Sequence, residues 1–456
     1  MGIEQTDTTP AGRSNAWKWW VCGLLLLATM INYMDRQTIS QTSARIIDEL
    51  ELNNDKYGTI ETAFSYAFAV GALIVGWTAD KWNVRWVYAA SVLLWSAAGF
   101  CTGFASALTG LILCRFALGL FESGNWPCAL RTTQRILRPD ERTAGNGILQ
   151  SGAAIGAIAT PVVVQLLVSG PGTWKYPFFV IGAVGALWVF FWVATIRAKD
   201  LAPDQASQVS AQSGEGPGFH ESFWTIFRDV RFWVIMVVGI SINLTWHFFR
   251  AWLPLFLKNR GYEESATNWF TSCYYVATDA GALTAGFVSL YLVRRGLTIY
   301  WSRLAVFFAC ALLTMLSLAV AVLPKGPLLL CMLLVIGFGA LGLFPPYYSF
   351  GQELTTRHQG KLTGLLSCTV WLPVGTMQKL IGRWLDETKD YSTVVAIAGL
   401  MPLVGFLALV CFWRLARPVT TRPSGEQTGL SATAADPRGA GQPSAALESA
   451  PTDGGS

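Results

Sequence analysis

The sequence predicts an all-α integral membrane protein, with about twelve transmembrane helices in two six-helix bundles. Three observations carry this reading. Of 456 residues, 52% are hydrophobic and only 13% are charged, with a mean hydropathy of +0.41. An average soluble domain carries about 25% charge, so a chain of this length must have lipid as much of its solvent. Apolar stretches long enough to cross a bilayer, about 20 residues each, recur along the chain, and one polar stretch divides them six and six.

The candidate spans lie near 16–39, 57–79, 84–105, 107–133, 144–168 and 174–197, then 231–257, 266–293, 299–323, 327–352, 360–385 and 392–416. Residues 1–15 form a polar N-terminal tail, 16–197 the first bundle, 198–230 a linker rich in Ser, Gln, Gly and charge, and 231–416 the second bundle. The Gly/Pro/Ser/Ala/Thr-rich tail 417–456 is expected to be disordered. Span 1 is too long for a signal-peptide core and has no small-residue cleavage site after it, so it is expected to be retained.

Landmarks repeat between the halves. Span 2 ends on Gly76 and Asp80-Lys81, and span 8 on Gly286 and Arg294-Arg295. Span 5 opens with Arg142, Gly145 and Gly147, and span 11 with Arg357, Gly360 and Gly364. This is the layout of a parallel-repeat transporter. The loops after spans 2, 4 and 8 carry Lys81, Arg85, Arg131, Arg135, Arg138, Arg142, Arg294, Arg295 and Arg303, whereas the loop after span 1 is acidic. The positive-inside rule places both termini in the cytoplasm of a cell whose inner (plasma) membrane holds the chain. Gly152 and Gly156 in span 5, among alanines, mark close helix packing.

The net charge of +5 lacks the basic runs of a nucleic-acid module, so no nucleic-acid partner is expected. All nine cysteines lie in apolar stretches without ligand spacing, so neither a metal nor a disulfide framework is expected. No nucleophile triad or nucleotide loop appears, which argues against an enzyme.

Charges inside a bilayer cost about 2.5–3.5 kcal/mol each even on the lenient insertion scale, so those that persist need partners or a function. They are Asp35 and Arg36 in span 1, Arg115 and Glu122 in span 4, Arg250 in span 7, Asp279 in span 8 and Lys379 in span 11. Arg115 and Glu122, seven apart, share a helix face; they line a cavity or only tie helices together. Asp35 and Arg36 point in different directions, and either enter the cavity or mark the end of span 1. His247 and Arg250, at i and i+3, share a face that either reaches the cavity or stays bonded within the bundle and near the interface. Four candidate cations (Arg36, Arg115, Arg250, Lys379) stand against three candidate anions (Asp35, Glu122, Asp279). That balance favours an anionic solute, and arginine is the side chain best shaped to hold a carboxylate. A carboxylate in a low-dielectric cavity beside an arginine takes up and releases a proton as its surroundings change. Asp35 and Glu122 are therefore the candidates for proton coupling.

The stretch Gly76-x-x-x-Asp80-Lys81-x-Asn83-x-Arg85 resembles the loop 2–3 signature of the major facilitator superfamily, with Asn83 where glycine is usual. Asparagine tolerates the left-handed backbone that such a turn uses. Three further stretches are Ile31-Asn-Tyr33-Met-Asp35-Arg36, then Cys114-Arg115 through Glu122-Ser-Gly124 to Pro127, and Arg142 through Gly152 to Pro161. Together they resemble the anion:cation symporter family, and within it the bacterial hexuronate transporters. The resemblance implies proton-coupled symport of a sugar acid. It implies Asp35 and Glu122 as protonatable carboxylates, Arg36 and Arg115 as substrate or coupling arginines, and Tyr33 as a cavity hydroxyl. Gly76, Asp80, Lys81 and Arg85 would form a conformational gate. His247, Arg250 and Trp371 complete the candidate substrate contacts, though His247 and Arg250 match no feature of the family. Phe68 stands where the family has a substrate-contacting tyrosine, and Ala153 where some relatives have glutamine. The expected protein is a monomer in the lipid bilayer that binds a small organic anion and protons, with no cofactor beyond the coupling proton. Efflux or antiport on the same fold, or a non-transporting sensor, are the alternatives.

Overall fold

The computed structural model describes residues 13–137, 141–201, 227–352, 354 and 359–413. Most of the expected linker and the whole tail 417–456 lie outside them.

The first half comprises α1 (Asn15–Gln41), a short α2 (Ser43–Glu49), α3 (Asn54–Lys81), α4 (Val84–Thr102), α5 (Leu108–Glu122), α6 (Asn125–Ile136), α7 (Arg142–Leu167) and α8 (Tyr176–Thr195). The second comprises α9 (Val230–Asn259), α10 (Glu264–Arg294), α11 (Ile299–Thr314), α12 (Ser317–Val322), α13 (Pro327–Gly342), α14 (Phe344–Gln352), α15 (Gln359–Thr388) and α16 (Tyr391–Phe412). Three expected spans are each broken by a turn: span 4 into α5 and α6 at Ser123–Gly124, span 9 into α11 and α12, and span 10 into α13 and α14.

Among the described residues, nine helical segments are long and apolar enough to cross a membrane. The exceptions are α1, the α5–α6 pair and α15. These are helices into which the sequence puts Asp35 and Arg36, Arg115 and Glu122, and Lys379. α5 and α6, at 15 and 12 residues, are each too short to count alone, and Glu61, Arg250 and Asp279 lie in segments that do qualify.

Close crossings hold each bundle together. A Cβ on Gly152 or Gly156 of α7 would collide with the backbone carbonyls of Leu26 or Met30 on α1. The small-residue reading of span 5 therefore describes a real α1–α7 contact. Gly119 of α5 likewise sits against the Phe64 carbonyl of α3. Between the bundles, Gly58 on α3 meets the Gln378 carbonyl on α15, and Gly382 on α15 meets that of Asn54.

Polar contacts between the bundles gather at the end away from Asn15 and Trp413. Asp386, near the end of α15, accepts from the backbone N–H groups of Asn54 (2.9 Å) and Asp55 (2.7 Å), capping α3 across the interface. Lys379 pairs with Asp55 at 2.5 Å, Arg45 with Glu264 at 2.6 Å and Lys258 with Asp48 at 2.5 Å. Lys379, counted above as a buried cation, is thus one-third exposed and pairs across the bundle interface, outside the central site.

At the opposite end, Arg13 holds Asp200 at 2.6 Å and Lys18 pairs with Glu141. Arg85 donates to the Val193 carbonyl at 2.9 Å and lies 4.4 Å over the Trp86 ring, tying α4 to α8. The side chains of Gly76, Asp80 and Lys81 lie outside the described residues. Asn83 is not left-handed, contrary to the expectation for the turn. Its φ is −65°, and its side chain accepts from the Arg85 N–H at 3.0 Å, capping α4.

Candidate functional site

Five helices send polar side chains to one buried point. α1 supplies Asn32, Tyr33, Asp35, Arg36 and Gln37 through a span that runs on to Gln41, so Asp35 and Arg36 are interior residues rather than its end. α3 presents Glu61, Phe64 and Phe68, at i, i+3 and i+7 on one face. α5 supplies Arg115 and Glu122, α9 His247 and Arg250, and α15 Trp371 and Gln378.

Arg36 donates through Nε (3.0 Å) and Nη2 (2.9 Å) to a single oxygen of Glu122, and Glu122 Oε1 has no hydrogen-bond partner. The Arg36 guanidinium sits in an aromatic box, 5.3 Å from Tyr33, 5.3 Å from Phe64, 5.1 Å from Phe68 and 5.6 Å from Trp371. Phe68 in turn packs on Trp371 with ring centroids 4.5 Å apart. Tyr66, on the other face, bonds Thr376 at 2.8 Å instead.

Arg115 and Glu122 share a face, as their spacing requires, but do not pair with each other. Arg115 reaches Glu61 Oε1 at 3.0 Å, while the second Glu61 oxygen takes Arg250 from α9. One glutamate thus joins an arginine of its own bundle to one from the other. Arg250 Nε also donates to His247 Nδ1 at 3.2 Å, which assigns the neutral ring with its proton on Nε2. The His247 ring lies 4.4 Å from Trp371. Both residues are buried, and Arg250 pairs across the bundles with Glu61 rather than lying near the membrane interface.

The three arginines differ in access. The side chains of Arg115 and Arg250 are 1% exposed, and that of Arg36 is 7% exposed. Asp35 faces away from the cluster, against α4. Neither of its carboxylate oxygens has a partner, and a Cβ on Gly99 would lie 2.7 Å from one of them. Asp279 is half-buried on α10 and makes no ion pair among the described residues.

The sequence census missed Glu61. It lies five residues into the expected span 2, a depth at which a glutamate reads as interfacial. α3 starts at Asn54, which carries Glu61 about two turns inside the helix. Gln37 was also missed; its Oε1 accepts from the Tyr275 hydroxyl at 2.8 Å across the bundles.

Residues 25–377, more than three quarters of the chain, match the Major Facilitator Superfamily. The chain belongs to that superfamily. It is a multi-pass membrane transporter, not an enzyme. It is similar to a probable sulfoacetate transporter of Cupriavidus necator, 27% identical over 85% of this chain and 92% of that one. It is also similar to a hexuronate transporter of Escherichia coli, 26% identical over 86% and 93%. Among solved structures it resembles an inward-facing, unoccupied bacterial homologue of the human lysosomal transporter Spinster, with a TM-score of 0.74 at 16% identity, covering 89% of this chain and all of that one. That likeness shows the fold alone.

Proposed function

We propose that this transporter takes up an organic monoanion, a hexuronate or related sugar acid, together with protons. The observation that carries the reading is the Arg36–Glu122 pair. Of the three central arginines Arg36 has the most accessible side chain, it is walled by four aromatic rings, and it rests on one glutamate oxygen. A cargo carboxylate competes with Glu122 for the same guanidinium fork, and protonation of Glu122 lets the cargo win. Asp35 is the second proton carrier, because neither of its buried carboxylate oxygens has a hydrogen-bond partner to hold the ionised form. Tyr33, Trp371 and His247 shape the wall, and Arg115 and Arg250 set the field through Glu61. The relatives named for hexuronate, galacturonate and sulfoacetate support an organic anion as cargo.

The arginine-rich end that holds Asn15 and Trp413 faces the cytoplasm of the inner membrane, and the closed end faces outward. Gly76, Asp80, Lys81 and Arg85 gate the inner end. The protein works as a monomer with no cofactor beyond the proton.

A second reading is a smaller, less hydroxylated anion such as sulfoacetate. It draws on Phe68, which puts a ring stacked on Trp371 where a hydroxyl would otherwise face the cargo. Uptake of labelled glucuronate, galacturonate, galactonate and sulfoacetate into proteoliposomes, with and without an inward proton gradient, tests both readings. Gradient-driven accumulation of one compound names the cargo. Accumulation of none of them refutes the proposal.

A further inference from the structure

Asp279 of α10 is a charge inside the membrane to which proton coupling and the arginine cluster give no task. Its helix face is fixed by its neighbours. Seven residues before it, Ser272 donates to the Ile158 carbonyl of α7 at 3.0 Å. Four residues before it, the Tyr275 hydroxyl donates to Gln37 of α1 at 2.8 Å. Gly281, on the other side of the helix, packs on the Phe338 carbonyl of α13. Asp279 therefore looks across at the first bundle. It has no ion pair or hydrogen bond among the described residues, and of its two carboxylate oxygens only Oδ2 is shut away from space, so Oδ1 stands open.

Three helices bring matching positions to this depth. Gln37, Tyr275 and Phe344 mark one layer, in which Trp246 of α9 lies 6.2 Å from the Tyr275 ring and 6.3 Å from that of Phe344 on α14. Tyr33, Asp279 and Tyr348 are each four residues from a member of that layer, about 6 Å nearer the end that holds Asn15 and Trp413. The Tyr33 phenol is within electrostatic reach of Arg36, Asp279 and Glu122, and the Tyr348 phenol is within reach of Tyr33, so the three side chains face one another across the bundles. Tyr348 is 57% exposed, and neither its hydroxyl nor that of Tyr33 makes a hydrogen bond among the described residues. The Arg36 guanidinium lies 5.3 Å from the Tyr33 ring, which joins this layer to the central site.

We infer that Asp279, with the hydroxyls of Tyr33 and Tyr348, holds the hydroxyl groups of the sugar acid whose carboxylate lies on Arg36. The donor set fits. A carboxylate accepts from two neighbouring hydroxyls at once, and each phenol both donates and accepts. The charge of Asp279 repels the cargo's own carboxylate, which fixes the orientation: acid group on Arg36, hydroxyls towards Asp279. Because Oδ1 meets accessible space, that charge is screened and stays outside the balance of the buried arginines and glutamates. An acid without hydroxyls would cover this carboxylate and give it no donor, so the layer selects by penalty as well as by attraction. The inference deepens the sugar-acid reading and rests on it.

The test is equilibrium binding, to the purified full chain, of labelled glucuronate and of cyclohexanecarboxylate, a ring acid of the same charge without hydroxyls. The wild type is expected to prefer glucuronate by about 100-fold or more. Asp279→Leu should weaken glucuronate about 10- to 100-fold and leave cyclohexanecarboxylate unchanged or tighter. Asp279→Asn, which keeps the shape and one acceptor, should lose part of the preference, and Tyr348→Phe should lose about three- to tenfold of it. These two variants carry the test if Asp279→Leu does not fold. Equal losses for both acids, as a structural or proton-carrying role would give, overturn the subsite. So does a wild type without the preference, or a preference that all the variants keep. Each of these leaves the sugar-acid reading standing where Arg36→Ala abolishes glucuronate binding. Absence of Arg36-dependent glucuronate binding refutes that reading, and the subsite with it.

Discussion

Replacing Glu61 with glutamine should open the closed end. Glu61 is fully buried, and its two oxygens serve two arginines whose side chains are each 1% exposed. The bond to Arg115 lies within the first bundle and survives a rocking motion. The bond to Arg250 crosses to α9 and exists only while the bundles are together at this end. Glutamine keeps one acceptor but places an N–H₂ group where the second arginine needs an anion. A hydrogen bond to a charged group is worth about 1.5–3 kcal/mol. The cross-bundle share is one such bond, so the closed form should lose about 10- to 100-fold in population against the open one. Spin labels at Lys56 and Glu387, on α3 and α15 at the closed end, report the change as a distance distribution. The exposed Cys101, Cys273, Cys331 and Cys411 must first be replaced. A folded Glu61→Gln protein with the wild-type distribution would refute the latch.

Four other outcomes follow from the same geometry. Glu122→Gln should abolish proton-driven accumulation yet keep cargo exchange in counterflow; a mutant that still concentrates cargo removes Glu122 from coupling. Arg36→Lys should weaken cargo binding about tenfold or more, because an ammonium lacks both the fork and the stacking plane, and unchanged affinity by calorimetry excludes Arg36 from the site. Asp386→Ala removes the cross-bundle cap on α3, worth about 1 kcal/mol, and should raise labelling of a cysteine put at Lys56 several-fold; equal labelling would make the cap ornamental. Burial pushes the Asp200 carboxyl up, but hydrogen bonds from Arg13 and from the Arg197 N–H outweigh it and hold it below the usual carboxylate range. Its stabilisation is therefore present above about pH 4 and is lost as pH falls through the lower native value. Melting curves of wild type and Asp200→Asn should differ at neutral pH and converge in acid, and a constant gap would refute the linkage.

Much of this was legible in the sequence because the bilayer makes charge conspicuous. Asp35, Arg36, Arg115 and Glu122 stand out in apolar runs, and all four are buried in the first bundle. Adjacency correctly sent Asp35 and Arg36 to different faces. Pairing was not legible. Arg115 and Glu122 share a face but choose partners on α3 and α1: α3 crosses α5 closely at Gly119, and Arg36 reaches Glu122 from α1 through its long side chain. Glu61 was hidden by its nearness to the start of the apolar window, and Lys379 was over-read because its helix begins so far before it. The breaks in spans 4, 9 and 10 escaped notice because a bend inside an apolar run changes no side chain's polarity.

Arg36, Arg115 and Arg250 meet Glu61 and Glu122 at the centre, and Asp35 stands behind α1 without a counter-ion. With Asp35 neutral, three cations face two anions, and the site carries one surplus positive charge in a medium where that surplus is costly. One monoanion cancels it. When Glu122 is also protonated the surplus doubles, so a second negative charge, or tighter hold on the first, is favoured. When both carboxylates are ionised the site is already neutral, and a bound monoanion becomes the uncompensated charge. Under the proposed coupling, cargo and proton stabilise each other's binding through electrostatics alone, without a moving part. The bundles need only ensure that the site meets the proton-rich side before the proton-poor one.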